Sequence, residues 1–230
     1  MSDKSEPLSS LYPFLHHRKK DPEAENKALL ESVSQKSQHS IDTKATFFKN
    51  NAQSLVNAAK SLAHTYTQGG KLLSMGNGGS SCDATHIAVE FQHPVTAGRP
   101  SLPAFNMNND NAFFSAVAND VGISHVFTRQ IEAHGHKNDC VIGFSTSGNS
   151  ENLLSGFRKA HEMGLTTIGF AGGNGGDMKT CGLLDHCLVV DCDSIHRVQE
   201  VHVACYHILW DLTHTLLADS RGHLSKENTL

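Results

Sequence analysis

No apolar run in the 230 residues approaches the ~20 that a membrane-spanning helix requires. The opening stretch, Met1-Ser2-Asp3-Lys4-Ser5, lacks the apolar core of a secretion signal. These absences predict a cytoplasmic protein with no membrane partner. Basic residues are not in excess either. Lys and Arg number 19 against 23 Asp and Glu, a formal net charge of −4, so no global basic surface exists to attract nucleic acid. The six cysteines, at 82, 140, 181, 187, 192 and 205, contain no C-x-x-C pair. They read as small thiols in a reducing compartment. Nucleotide signatures are missing too: there is no G-x-G-x-x-G and no Gly-Lys-Ser/Thr loop. No solenoid-type repeat and no second core are visible.

What remains is ordinary in amount and informative in arrangement. Hydrophobic content of 38% with 18% charged residues fits one soluble domain with an ordered core. Residues 1–27 are polar and include His16-His17-Arg18-Lys19-Lys20-Asp21, an N-terminal extension. A single domain is expected over 28–220, with a tail at 221–230. Helical patterns start near Lys27 and again over Ala45–Gln68, where Gly69-Gly70 ends the second.

The chain then alternates. Strands are expected at Lys71–Met75, Ser101–Asn106, Cys140–Phe144, Thr166–Phe170 and His186–Val190. Helices are expected at Ser80–His93, Asn109–Asn119, Ser124–Ala133, Asn152–Met163 and Ser194–Ala218. Gly172–Gly176 reads as a loop. Such alternation predicts a parallel sheet covered by helices on both faces.

Two loops stand out. Gly76-Asn77-Gly78-Gly79-Ser80-Ser81 and Ser145-Thr146-Ser147-Gly148-Asn149-Ser150 each follow a strand and open a helix. Either loop alone also fits a plain helix cap. Together they place backbone N–H groups, helix dipoles and hydroxyls where open α/β sheets bind ligands, which suits a phosphorylated small molecule. His86 and Glu90 share a face of the helix after the first loop, where they can hold a metal or act as acid and base. A surface pair has the same spacing. The last helix carries Arg197-Val198-Gln199-Glu200-Val201-His202 and then His207 within an apolar stretch. Gln199 and His207 are separated by about 12 Å of helical rise, so one metal receives both only if their side chains converge or a second subunit contributes.

These motifs resemble the sugar isomerase (SIS) fold family, and within it the phosphoheptose isomerases. The resemblance runs from Lys71 to Leu217. It rests on Gly76-Asn77-Gly78-Gly79-Ser80…Asp83…His86…Glu90, Ala118-Asn119-Asp120, Ser145–Ser150, and Arg197-Val198-Gln199-Glu200…His207. It implies a three-layer αβα sandwich with a five-stranded parallel, flavodoxin-like sheet and extra N-terminal helices. It also implies a homotetramer with shared active sites. Asn77, Gly78, Ser80, Asp110, Ser145, Thr146, Ser147, Ser150 and Gln199 would bind substrate. His86, Glu90, Gln199 and His207 would hold one zinc ion per subunit, with Glu90 and His207 as base and acid. The implied reaction converts sedoheptulose 7-phosphate to D-glycero-D-manno-heptose 7-phosphate through an enediol, early in nucleotide-heptose synthesis. Many relatives carry Gly-Arg shortly after the glutamate. Here Glu90-Phe91-Gln92-His93-Pro94 follows, the nearest arginine is Arg99, and His196 replaces a usual aspartate or alanine. These departures keep two alternatives open: an isomerase for another sugar phosphate, and a non-catalytic sugar-phosphate-binding or replication-initiator-associating protein.

Overall fold

The computed structural model describes residues 21–220. Contacts divide the chain after His39. Residues 21–39, the described part of the first unit, belong to the start of helix α1 (Pro22–Thr67). Asp21 caps it by accepting from the backbone N–H groups of Glu23 and Ala24 at 3.1 and 3.4 Å. Pro22 occupies the first helical position, where its missing N–H costs nothing. The two expected N-terminal helices are thus one, because no glycine or second proline interrupts residues 23–68. Residues 1–20 and 221–230, which hold most of the expected extension and the tail, lie outside the described residues.

From Ser40 onward the chain builds an α/β body. Its strands are β1 (Leu72–Gly76), β2 (Ala104–Asn106), β3 (Cys140–Ser145), β4 (Thr166–Gly172) and β5 (His186–Val190). All pair in parallel, in the order β2-β1-β3-β4-β5. Helix α2 (Gly79–Gln92) follows β1, and α3 (Asn111–Asp120) and α4 (Val126–His134) follow β2. Helix α5 (Glu151–Glu162) follows β3, the short α6 (Gly176–Thr180) follows β4, and α7 (Ile195–Ser220) closes the body. No helix among the described residues is long and apolar enough to cross a membrane.

Strand alternation sorts the core into two layers. Leu72, Ile142, Phe144, Ile168, Phe170 and Leu188 face α2 and α7, with Ile87, Phe91, Cys205 and Tyr206 among their partners. Leu73, Met75, Val141 and Ala171 face the other way, with Phe127, Ile131, Leu153 and Phe157 of α4 and α5. This is the expected three-layer sandwich. Phe144 is wholly buried and contributes ~2–3 kcal/mol by that burial alone.

The order reverses between β1 and β3. The chain leaves β1 for a neighbour on one side and leaves β3 for a neighbour on the other. Open α/β sheets bind ligands in the crevice at that point, beyond the carboxyl ends of the strands. Both hydroxyl- and glycine-rich loops begin there, at Gly76 and Ser145.

Candidate active site

The first loop turns sharply. A side chain at Gly76 would strike the Ser80 carbonyl, and Gly78 takes a φ of 54° just before α2. Asn108, from the loop after β2, holds the end of β1 through both its amide atoms, at 3.2 Å to the Gly76 N–H and 2.8 Å to its carbonyl. Ser80 is buried in the first turn of α2.

The second loop is braced internally. The Ser145 and Ser150 hydroxyls lie 3.0 Å apart, and Gly148 N–H donates to Ser145 Oγ at 3.1 Å. Asn149 N–H donates to Ser147 Oγ at 3.2 Å. The Thr146 carbonyl packs against Gly172, whose missing side chain makes room for it. The two loops are joined by a reciprocal amide pair: Asn77 and Asn152 each donate to the other, at 2.8 and 2.9 Å. Asn77, Gly78, Ser150, Glu151 and Asn152 line one side of a hollow closed by Phe114, Ile123 and Ser124. The heads of α2 and α5 therefore border one concavity, a setting that attracts a phosphate.

A second group of polar side chains lies farther along α2. His86 Nε2 is 3.0 Å from Glu90 Oε1, and His86 Nδ1 is 2.7 Å from the Tyr206 hydroxyl. His207 of α7 meets His86 edge to face, with ring centroids 5.0 Å apart. One donor atom from each of His86, Glu90 and His207 lies within 4.8 Å of the other two. Two imidazoles and a carboxylate at that spacing fit a three-ligand zinc site with an open position. The His86 side chain is 45% exposed. Burial, and then the neighbouring His86, lower the His207 pKa below 6.5, against a smaller opposing pull from Glu90. Both effects favour the neutral form of the His207 ring. Burial raises the Tyr206 phenol, so it keeps its hydrogen.

The remaining expected residues fall apart from this cluster. Gln199 packs its amide against Gly79 at the head of α2, beside the first loop. Asp110 caps α3, accepting from Phe113 N–H at 2.9 Å. His196 is exposed. Arg99 stacks over Trp210 at 4.4 Å and pairs with Asp211. Trp210 in turn donates its indole N–H to the Glu90 carbonyl at 2.8 Å. Sequence reasoning missed Tyr206, Trp210, Asn108 and Asn152. The one available signal was the four-residue spacing of Tyr206 and Trp210, two aromatics with polar atoms inside an apolar helix.

Residues 35–172 match the SIS domain family. The chain is 39% identical over 201 residues to a phosphoheptose isomerase of Desulfovibrio desulfuricans, a match spanning 87% of this chain and 94% of that one. A solved phosphoheptose isomerase from Francisella tularensis superposes with a TM-score of 0.77 at 32% identity, covering 81% of this chain and 98% of the other. One from Neisseria gonorrhoeae gives 0.76 at 33% identity, covering 81% and 99%. With that sheet order, those loops and matches of this extent, the chain belongs to the SIS domain family, among its phosphoheptose isomerases.

Proposed function

We propose that this enzyme interconverts sedoheptulose 7-phosphate and D-glycero-D-manno-heptose 7-phosphate. The observation that carries the reading is the convergence of His86 and Glu90, on the helix that opens from the glycine-rich first loop, with His207 of α7. Aldose–ketose exchange moves one proton between adjacent carbons through an enediol. Glu90 takes the carbon-bound proton from C1 and returns it at C2. His207 carries the proton between the two oxygens. Positioned acid–base groups of this kind contribute ~10²–10⁴-fold. Ser145, Thr146, Ser147 and Ser150, with Asn77, Gly78 and Ser80, hold the phosphate, so that binding at the far end orients the reacting end. Asp110, at the head of α3, would be a further substrate contact.

His86, Glu90 and His207 would hold a zinc ion, which supplies Lewis-acid polarisation of the sugar oxygens when bound. Glu90 acts as base only through a carboxylate oxygen that the ion does not engage. The position of Gln199 beside Gly79 supports a substrate contact at the first loop. Its role as fourth zinc ligand requires a swing of its side chain or a second subunit. The exposure of His86 supports a homotetramer with active sites shared between subunits. We place the reaction in the cytoplasm, feeding nucleotide-heptose and lipopolysaccharide synthesis. A non-catalytic sugar-phosphate-binding role is not favoured, because the acid–base cluster is intact and assembled.

Turnover of sedoheptulose 7-phosphate by metal-stripped protein, with and without added zinc, tests this. Zinc-restored formation of an aldoheptose 7-phosphate supports the whole reading. Equal activity without metal keeps the isomerase and removes the zinc site. No turnover in either state rejects this substrate.

A further inference from the structure

We propose that Tyr206 is a positioning residue for His86: its hydroxyl sets which imidazole nitrogen carries the proton, and exchanges donor for acceptor when zinc binds. The inference rests on the reading of His86, Glu90 and His207 as a metal site.

His86 spends both ring nitrogens on defined partners, Nε2 on Glu90 at 3.0 Å and Nδ1 on Tyr206 Oη at 2.7 Å. A neutral imidazole has one N–H and one lone pair, so the two ends are coupled. Without metal, the Nε2 N–H donates to the Glu90 carboxylate. Nδ1 must then accept, and the Tyr206 O–H donates to it. For Nε2 to ligate zinc, its lone pair has to face the ion. The ring proton then sits on Nδ1, and Tyr206 Oη has to accept it. The ring gains a proton at one nitrogen and loses one at the other, so no net charge is created. The Nε2 bond to Glu90 is given up in the same change.

Few side chains could serve both states. A carboxylate in place of Tyr206 could only accept, and a lysine could only donate. A hydroxyl does either by rotating one hydrogen. The oxygen itself is held still. Tyr206 is 1% exposed, its ring is edge-on to Phe144 at 5.8 Å, and it meets the rings of His86 and His207 at 5.3 and 4.8 Å. The phenol thus fixes the direction of the His86 ring while leaving its tautomer free to follow the metal. Partners of metal ligands acting in this way typically change metal affinity by ~10–100-fold.

The test uses the full-length chain, zinc ion alone as the probe, and two readouts. Competition with a chromogenic chelator gives the zinc dissociation constant of wild type and Tyr206→Phe. Nitrogen-15 NMR of the His86 ring gives its tautomer with and without zinc. The expected result is ~10–100-fold weaker zinc binding by Tyr206→Phe. In the wild type, the His86 proton is expected on Nε2 without zinc and on Nδ1 with it. A merely structural role for Tyr206 would lower the melting temperature without changing the zinc constant or the tautomer. Tight zinc binding by the wild type with an unchanged constant in Tyr206→Phe overturns the positioning role alone. A wild-type tautomer that does not respond to zinc also overturns it, and that measurement decides the matter if the variant fails to fold. Absence of zinc binding to the wild type overturns the metal reading and this inference with it.

Discussion

Asp83 lies on the core side of α2, 6% exposed, and its Oδ2 has no hydrogen-bond partner. Burial raises its pKa from 3.8 to about 7. Asparagine at this position keeps the shape and removes the charge. For an acid, a folded value above the unfolded one means that the native chain holds the proton more tightly. Stability therefore falls as pH rises from 3.8 to about 7, and stays low above that. At ~1.4 kcal/mol per pH unit the full interval amounts to about 4 kcal/mol, a ceiling that residual solvation of the carboxyl reduces to about 2–3 kcal/mol. By pH 5.5 roughly half of the interval has been crossed. Asp83→Asn is therefore expected to stabilise the fold by about 2–3 kcal/mol at pH 8, by about 1 kcal/mol at pH 5.5, and hardly at all at pH 4. Urea denaturation of both chains at the three pH values measures this. A gain of equal size at every pH, or a loss at pH 8, refutes the account of Asp83 as an uncompensated buried acid.

Burial lowers the fully buried His202 to about 4, so its contribution to stability is present above 6.5 and is lost as pH falls towards 4. This slope opposes that of Asp83 over the same window. The wild type should show a shallow profile there, and Asp83→Asn a steep acid loss; a wild-type profile as steep as the variant's contradicts it. Glu90→Gln should lower kcat by ~10²–10⁴-fold with the KM for the sugar phosphate little changed. Retained turnover would remove Glu90 as the base. Gly79→Ala places a methyl group against the Gln199 amide. It should leave stability within about 1 kcal/mol, since alanine is the better helix former, while raising KM; an unchanged KM would deny Gln199 a place beside the substrate.

Much of the scaffold was legible because local and long-range signals agree. β1, β3 and β5 are apolar runs bounded by polar turns, and they appear within a residue of their expected limits. The start of β2 was not. It was expected from Ser101, but Pro103 lacks an N–H for the ladder, and pairing begins at Ala104. Helix α6 was hidden in a glycine run that reads as a loop. Its first turn exists because the Asn149 side chain accepts from Asp177 N–H at 2.8 Å and the Gly148 carbonyl accepts from Met178 N–H at 2.9 Å, neither of which is local in sequence. Helix α4 was expected from Ser124, but it starts at Val126 after a short turn, because Gly122 enters with a φ of 104°. His86 and Glu90 were legible through their four-residue spacing. That His207 joins them, while Gln199 stays beside Gly79, depends on how α7 packs across α2, and no local pattern encodes that. The same packing brings in Tyr206, Trp210 and Arg99. Asp110, expected at the substrate by resemblance, also has a local use: its carboxylate caps α3.

The reciprocal pair between Asn77 and Asn152 also bears on how the protein ages. Asn77 is followed by Gly78, and an Asn-Gly sequence deamidates readily because the glycine's own backbone nitrogen, unshielded by a side chain, can attack the asparagine carboxamide. Both amide atoms of Asn77 are engaged by Asn152, so the carboxamide cannot swing over that nitrogen to close the succinimide ring. Loss of the amide would put a carboxylate in the crevice proposed to hold the phosphate. Asn152→Ala is expected to accumulate acidic forms during storage faster than the wild type on isoelectric focusing, and equal rates would show that the backbone at Gly78 gives the protection instead. The contact that shapes the crevice thereby also sets its chemical lifetime.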